Sequence, residues 1–212
     1  MCGLKKLLKN KKSLLFFAAL LTVFIGGLFW WQANRETPVE KWGSVGHSSK
    51  EDYVIKDVSS GMIVENKKVG LVFQIPKNWL AEKDNLAAFY SSDAEFSETR
   101  SDVLLKGCRI EVFANFIKTN ISTLKKYIDE DLQEWSSVVA IDEFQQIDIN
   151  NQPALRYKYH VRQDVPDRIR MAYISADIPS EKYIYKILLS SFLEEIDKCE
   201  EEFDDFLKTI SF

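Results

Sequence analysis

One uninterrupted apolar segment near the N-terminus constrains this chain more than any other feature. It covers residues 14–31, reads LLFFAALLTVFIGGLFWW and carries no charged residue. As a helix, a segment of this length spans about 27 Å, close to the bilayer hydrocarbon core of about 30 Å. Trp30 and Trp31 close the segment, where aromatic residues meet a membrane interface. We therefore predict a transmembrane helix over residues 14–31.

The charges around this segment predict its orientation. Residues 1–13 contain five lysines and no acidic residue, whereas the charges just after residue 31 roughly cancel. The positive-inside rule places such a basic tail in the cytoplasm and the rest of the chain outside. We expect a single-pass protein of the cytoplasmic (inner) membrane, held by an uncleaved signal anchor.

Three other interpretations of the apolar segment fit the sequence less well. A signal peptide cleaved after Ala33 would have Trp31 where a small residue is required. A lipoprotein carries its cysteine after the apolar run, but Cys2 precedes it. A buried core helix normally shows a polar stripe along one side, which this segment lacks.

The composition beyond the segment limits the partners of the chain. Residues 32–212 contain 23 basic and 32 acidic residues, a net charge of −9. This charge opposes binding to nucleic acid and to an anionic membrane surface. Residues 32–60 are polar and include Pro38, Gly43 and Gly46, which predicts a linker. Residues 61–212 then form one domain of ordinary size.

Short strands and two amphipathic helices are predicted for residues 61–212. Strand patterns occupy residues 70–76, 86–90, 109–116, 138–149, 154–162, 168–176 and 183–190. Turn signals occur at residues 150–153, 164–167 and 177–180. One helix begins with Ser122 as N-cap and has an apolar face formed by Leu124, Tyr127, Ile128, Leu132 and Trp135. The last helix has an acidic face and an apolar stripe of Ile196, Cys199, Phe203, Phe206, Leu207 and Ile210.

These elements predict the fold class. Short turns between strands favour antiparallel pairing, and the two helices are long enough to cover the sheet. The expected fold is α+β, an antiparallel sheet flanked by two main helices and preceded by one transmembrane helix.

Two cysteines fall in the part of the chain that we place outside the membrane. Cys108 lies near the third predicted strand, and Cys199 lies on the last helix. They can form a disulfide, since disulfides persist outside the cytoplasm, or they can be two separate buried thiols. A bridge would close a long loop and stabilise the domain by about 4 kcal/mol on the chain-entropy model.

Three short motifs resemble the PsbP/Mog1/DcrB-like domains. They are GLVFQIPKNW at residues 70–79, TLKKY at residues 123–127 and FDDFLKTISF at residues 203–212. The order of elements over residues 61–212 also agrees. The resemblance implies an α-β-α sandwich in a bacterial, membrane-anchored relative. Many such domains are non-catalytic binding or assembly modules, and no ion-binding residue can be transferred to this chain.

Basic residues alternate with apolar ones on two neighbouring predicted strands. Keeping one face apolar predicts the cross-strand pairs Val161–Ile169, Tyr159–Met171, Arg162–Arg168 and His160–Arg170. Opposed like charges are destabilising unless acids neutralise them or an anion binds. Neutralisation could come from Asp142, Glu143, Asp148 or the acidic helix. The other interpretation is a patch for an anionic or acidic partner, formed by Lys158, His160, Arg162, Arg168 and Arg170.

The sequence shows no recognisable catalytic motif. It lacks a G-x-S-x-G elbow, a P-loop, a G-x-G-x-x-G motif and an EF-hand loop. We therefore predict no catalytic residue, cofactor or metal site. The expected function is an extracytoplasmic binding or assembly module that engages an unknown protein or a small anionic partner. The alternatives are a carboxylate-dependent envelope hydrolase and a purely structural envelope component.

Overall fold

A computed structural model describes residues 48–82, 85–98, 104–165 and 169–212. The predicted basic tail, the predicted transmembrane helix and most of the predicted linker lie outside these ranges, as does Arg168. Within them, no helix combines the length and the apolarity needed to cross a bilayer.

Antiparallel strands dominate the described part of the chain. The strands are β1 (Tyr53–Val58), β2 (Gly61–Asn66), β3 (Leu71–Pro76), β4 (Leu80–Glu82), β5 (Asn85–Tyr90), β6 (Glu95–Phe96), β7 (Leu104–Lys106), β8 (Cys108–Asn115), β9 (Val139–Ile149), β10 (Gln152–Val161), β11 (Met171–Pro179) and β12 (Ile184–Phe192). The helices are α1 (Ile121–Glu134) and α2 (Ile196–Leu207). A seven-stranded sheet has the order β4-β5-β8-β12-β11-β10-β9, beside a three-stranded sheet β1-β2-β3 and the pair β6-β7.

The two helices cover opposite faces of the seven-stranded sheet. Successive side chains of a strand point to opposite faces, and the buried residues divide accordingly. Ala154 belongs to the larger core, which includes the buried residues of α2, whereas Leu155 packs with α1. All six residues of the predicted apolar stripe on the last helix are buried. An antiparallel sheet with two main helices is the predicted α+β class.

The domain begins before the predicted boundary at Gly61. Residues 53–58, assigned to the linker from their polar surroundings, form β1 and pair with β2. Tyr53 is buried, and its hydroxyl donates to the carbonyl oxygen of Val112 at 3.1 Å. Gly61 closes the β1–β2 turn at φ 137°, where an added Cβ would lie 2.2 Å from the carbonyl oxygen of Ile75. Ser59 and Ser60, which fall in the predicted linker, therefore belong to a tight hairpin.

The predicted register of β10 against β11 is wrong by two residues. Tyr159 lies opposite Tyr173, and His160 lies opposite Ala172 rather than Arg170. The predicted opposition of Arg162 and Arg168 came from the same incorrect register. A shift of two residues keeps every side chain on its face, so the apolar pattern alone does not distinguish these registers.

Candidate functional site

The basic residues predicted to form a patch lie close to acidic side chains. Lys158 Nζ is 2.8 Å from Asp197 Oδ1 and 2.7 Å from Glu200 Oε2, both on α2. The hydrogen bond from Lys158 lowers the pKa of Asp197. The other described members each have their own acid: His160 with Asp142, Arg162 with Asp164 and Arg170 with Glu194. This arrangement is the local neutralisation that the sequence left open.

Arg156, which the sequence did not single out, is the most buried cation of this face. Only 4 % of it is exposed, on β10 beneath α2. Its Nη1 lies 2.7 Å from Glu143 Oε2, its Nη2 contacts Glu200, and its Nε lies 3.4 Å from Asp204 Oδ1. Burial alone would lower the pKa of Arg156, but the hydrogen bond to Glu200 and the nearby carboxylates raise it. Arg156 thus ties α2 to the end of the sheet.

A groove of about 600 Å³ runs beside Arg156, between β9 and α2. From β9 it is lined by Glu143, Gln145 and Ile147, and from α2 by Glu200, Asp204 and Leu207. Arg156 forms part of its lining, and its Nε donates no hydrogen bond in the described structure.

A second polar cluster is buried on the opposite face of the sheet. Asp177 has no exposed surface and accepts hydrogen bonds from the Ser175 hydroxyl at 2.7 Å and the Tyr157 hydroxyl at 3.3 Å. Lys186 Nζ donates to the Tyr157 hydroxyl at 3.2 Å. Burial raises the pKa of Asp177, which Lys186 and the two hydroxyls only partly oppose. Burial likewise raises the pKa of Tyr157.

A cavity of about 210 Å³ lies above this cluster, beneath the C-terminal half of α1. Its lining is aromatic and aliphatic apart from two charged residues: Ile128, Leu132, Trp135, Tyr157, Tyr159, Asp131 and Lys186 among others. Tyr159 stacks on Tyr173 with ring centroids 5.1 Å apart, and on Tyr157 at 5.9 Å. Apolar walls with a few polar groups suit a small ligand. Asp177 itself does not line the cavity, whereas Tyr157, whose hydroxyl donates to Asp177, does.

Sequence reasoning missed Asp177 because it assigned residues 177–180 to a turn. The strand β11 instead continues to Pro179, with Ala172, Ile174, Ala176 and Ile178 all buried. This alternation was the signal that could have extended the strand. Aspartate and proline outweighed it, since both are typical of turns.

The two cysteines of the domain are joined. Cys108 at the start of β8 and Cys199 on α2 form a disulfide with their Cα atoms 5.7 Å apart. Both residues are fully buried. Of the two alternatives that the sequence allowed, the structure contains the bridge. Among the described residues, no group of three or more His, Cys, Asp or Glu is placed to hold a metal ion.

Comparisons with known proteins give distant structural likenesses. No protein-family model matches the chain, and no curated protein matches it. Similar solved structures include cyanobacterial PsbP from Synechocystis, 14 % identical over 82 % of this chain and 99 % of that chain, with a TM-score of 0.45. A Pseudomonas aeruginosa protein of unknown function is 10 % identical over 76 % of this chain and 96 % of its own, with a TM-score of 0.43. A Bacteroides thetaiotaomicron protein is 15 % identical over 66 % of this chain and 44 % of its own, with a TM-score of 0.36. Likenesses at this level do not assign the chain to a family.

Proposed function

We propose that this protein is a single-pass, membrane-anchored binding or assembly module whose domain works outside the cytoplasm. The observation that carries this proposal is the buried disulfide between Cys108 and Cys199, because such bonds persist in oxidising compartments and are rare in the cytosol. The apolar segment 14–31 and its preceding lysines support the same topology. The family motifs and the antiparallel sheet with two helices support a bacterial PsbP-like relative.

A protein partner fits the described surface better than a small anion. A small anion would have to displace acids that already hold Lys158, His160, Arg162 and Arg170. The exposed pairs of Arg162 and Arg170 contribute little to stability, so a protein interface can replace them at small cost. A less favoured candidate for the partner-binding surface is therefore the patch of Lys158, His160, Arg162, Arg168 and Arg170.

A carboxylate-dependent hydrolase is the alternative function, and one observation favours it. Asp177 is a buried carboxyl with a raised pKa near a cavity, a combination that is enriched at active sites. Because Asp177 does not line the cavity, proton transfer between it and a bound substrate would need a lining group such as the Tyr157 hydroxyl as intermediary. Binding without catalysis requires no such relay.

Cross-linking in intact membranes tests the binding function. The full chain is compared with a control in which residues 1–47 carry an unrelated domain. We expect the full chain to capture a defined envelope protein that the control does not capture. Charge reversal of Arg168 and Arg170 should leave this capture intact if the patch is secondary. Capture no greater than that of the control would contradict the binding function.

A further inference from the structure

The strand β9 is a long exposed edge of the seven-stranded sheet. It has 11 residues and lies at the end of the strand order. In the described ranges its residues 143–149 pair with β10 and with no other strand. The opposite edge, β4, has only three residues. Natural edge strands are usually short or carry lysine or proline, because an open edge invites another strand to pair.

The regular part of β9, residues 143–149, has no lysine, proline or bulge, and its only charged residues are the acids Glu143 and Asp148. The strand reads VAIDEFQQIDI, without lysine or proline. Its one register shift lies where Tyr159 and Ile141 pair, so residues 143–149 continue without a bulge. On an antiparallel edge, alternate N–H and C=O groups of such a stretch point away from the neighbouring strand. Seven regular residues can therefore receive one more strand.

The groove beside this edge is acidic. Four acidic residues line it against two basic ones, namely Glu143, Asp148, Glu200, Asp204, Arg156 and Lys208. The side chains of Glu143 and Asp204 are 43 % and 50 % exposed, so they remain accessible while contacting Arg156. A strand added next to β9 would direct every second side chain into this groove. Basic side chains would meet carboxylates there.

We propose that β9 docks an extended, basic segment of a partner protein as an added strand of the sheet. Main-chain hydrogen bonds to residues 143–149 supply affinity, and lysine or arginine at alternate positions over the groove supplies specificity. A second copy of this chain is a poorer occupant, because its β9 would bring Asp142, Glu143 and Asp148 to an already acidic edge. This inference rests on the proposed binding function and names its surface and the chemistry of its partner.

Peptide binding to the full chain in detergent micelles tests the proposal. The probe is a peptide of about seven residues that alternates lysine and valine, with a glutamate–valine peptide of the same length as control. We expect the lysine peptide to bind about tenfold or more tightly than the glutamate peptide. Equal affinity for the two peptides would overturn the proposal.

Two neighbouring substitutions on β9 separate the groove from general charge effects. Gln145 faces the groove opposite Arg156, and Gln146 faces the other side of the sheet. Gln145→Lys should weaken binding of the lysine peptide about tenfold, Gln145→Glu should strengthen it, and Gln146→Lys should change it by less than about twofold. Equal weakening by both lysine substitutions would contradict docking over the groove.

N-methylated peptides test the backbone pairing without changing the protein. Methyl groups on one set of alternate residues point at β9 and block its hydrogen bonds, whereas those on the other set point to solvent. We expect one methylated peptide to lose binding and the other to keep it. Equal binding of both would show attraction by charge alone and overturn strand addition. Self-association that Gln145→Lys abolishes, without peptide binding, would assign the edge to a second copy instead.

The outcomes separate this inference from the binding function on which it rests. If a partner is captured in membranes while the peptides fail to bind, β9 is the wrong surface and the binding function stands. If neither occurs, both proposals fail.

Discussion

Asp177 shows how a buried carboxyl is accommodated by two hydroxyl donors and one neighbouring cation, Lys186. Its two oxygens accept hydrogen bonds from the Ser175 and Tyr157 hydroxyls, and Lys186, which lies opposite Asp177 on β12, donates to the Tyr157 hydroxyl. A carboxylate removed from water is costly unless it is paired, so the neutral form gains relative to the charged form. The raised pKa of Asp177 is the consequence.

The substitution Asp177→Asn tests this directly through the pH dependence of stability. Because the folded-state pKa of Asp177 is raised, its contribution to stability is complete below the unfolded pKa of about 3.9 and is lost as pH rises through the folded pKa. The free energy of unfolding of the native chain minus that of Asp177→Asn should therefore fall as pH rises above about 4. Denaturant unfolding of both proteins across this range measures the difference. The exposed substitution Asp129→Asn is the control, and an Asp177→Asn difference that rises with pH would contradict the account.

At the scale of single elements, the predicted and the observed N-cap of α1 differ. Ser122 was the predicted N-cap, but the helix begins at Ile121, and Asn120 is the cap. The Asn120 side-chain oxygen accepts a hydrogen bond from the Thr123 backbone N–H at 2.9 Å. Asparagine and serine are both good caps, so cap preference alone does not distinguish helix starts two residues apart.

Alanine at each position distinguishes the two caps. Asn120→Ala should lower the free energy of unfolding by about 1 kcal/mol, because the Thr123 N–H loses its acceptor. Ser122→Ala should change it by less than about 0.5 kcal/mol, since Ser122 is an exposed residue of the first turn. Denaturant unfolding of both variants measures the contrast. A larger loss of unfolding free energy for Ser122→Ala than for Asn120→Ala would identify Ser122 as the N-cap.

The disulfide links two elements that are far apart in sequence. It joins β8 to α2 across a separation of 91 residues. On the chain-entropy model, closing a loop of that length stabilises the folded state by about 4 kcal/mol. The double substitution Cys108→Ala and Cys199→Ala should lower the free energy of unfolding by an amount approaching this value. Reduction should destabilise the native chain and leave the double variant unchanged; equal sensitivity of both to reductant would contradict the bridge.

The elements that could be predicted were those with a clear sequence pattern. The apolar stripe of α2 follows from spacing alone, because it buries one face of the helix against a large core. The long strands β9 and β10 follow from their β-branched and aromatic residues and from the turn signal between them. The register of β10 and β11 could not be predicted, since shifts of two residues leave the faces unchanged. Arg156 and Asp177 were also beyond sequence reasoning. Their burial depends on partners such as Glu200 and Tyr157, which only the packed fold brings to them.

At the scale of the whole molecule, we propose an acidic domain tethered beyond a membrane. Residues 32–212 carry a net charge of −9, whereas residues 1–13 carry five lysines and no acid. This asymmetry favours a cytoplasmic tail and an outside domain that is repelled by anionic lipid surfaces. We therefore propose that the domain acts on partners at some distance from the bilayer rather than on the bilayer itself.

Thiol labelling in spheroplasts that produce the full chain tests this topology most directly. A membrane-impermeant maleimide is applied to the native chain, whose Cys108 and Cys199 are bridged, and to a Cys2→Ser variant that also carries Ser137→Cys at an exposed site after α1. We expect labelling of the Ser137→Cys variant in intact spheroplasts, and labelling of the native chain at Cys2 only after the membrane is permeabilised. Labelling of Cys2 in intact spheroplasts, with the Ser137→Cys variant protected, would contradict this topology.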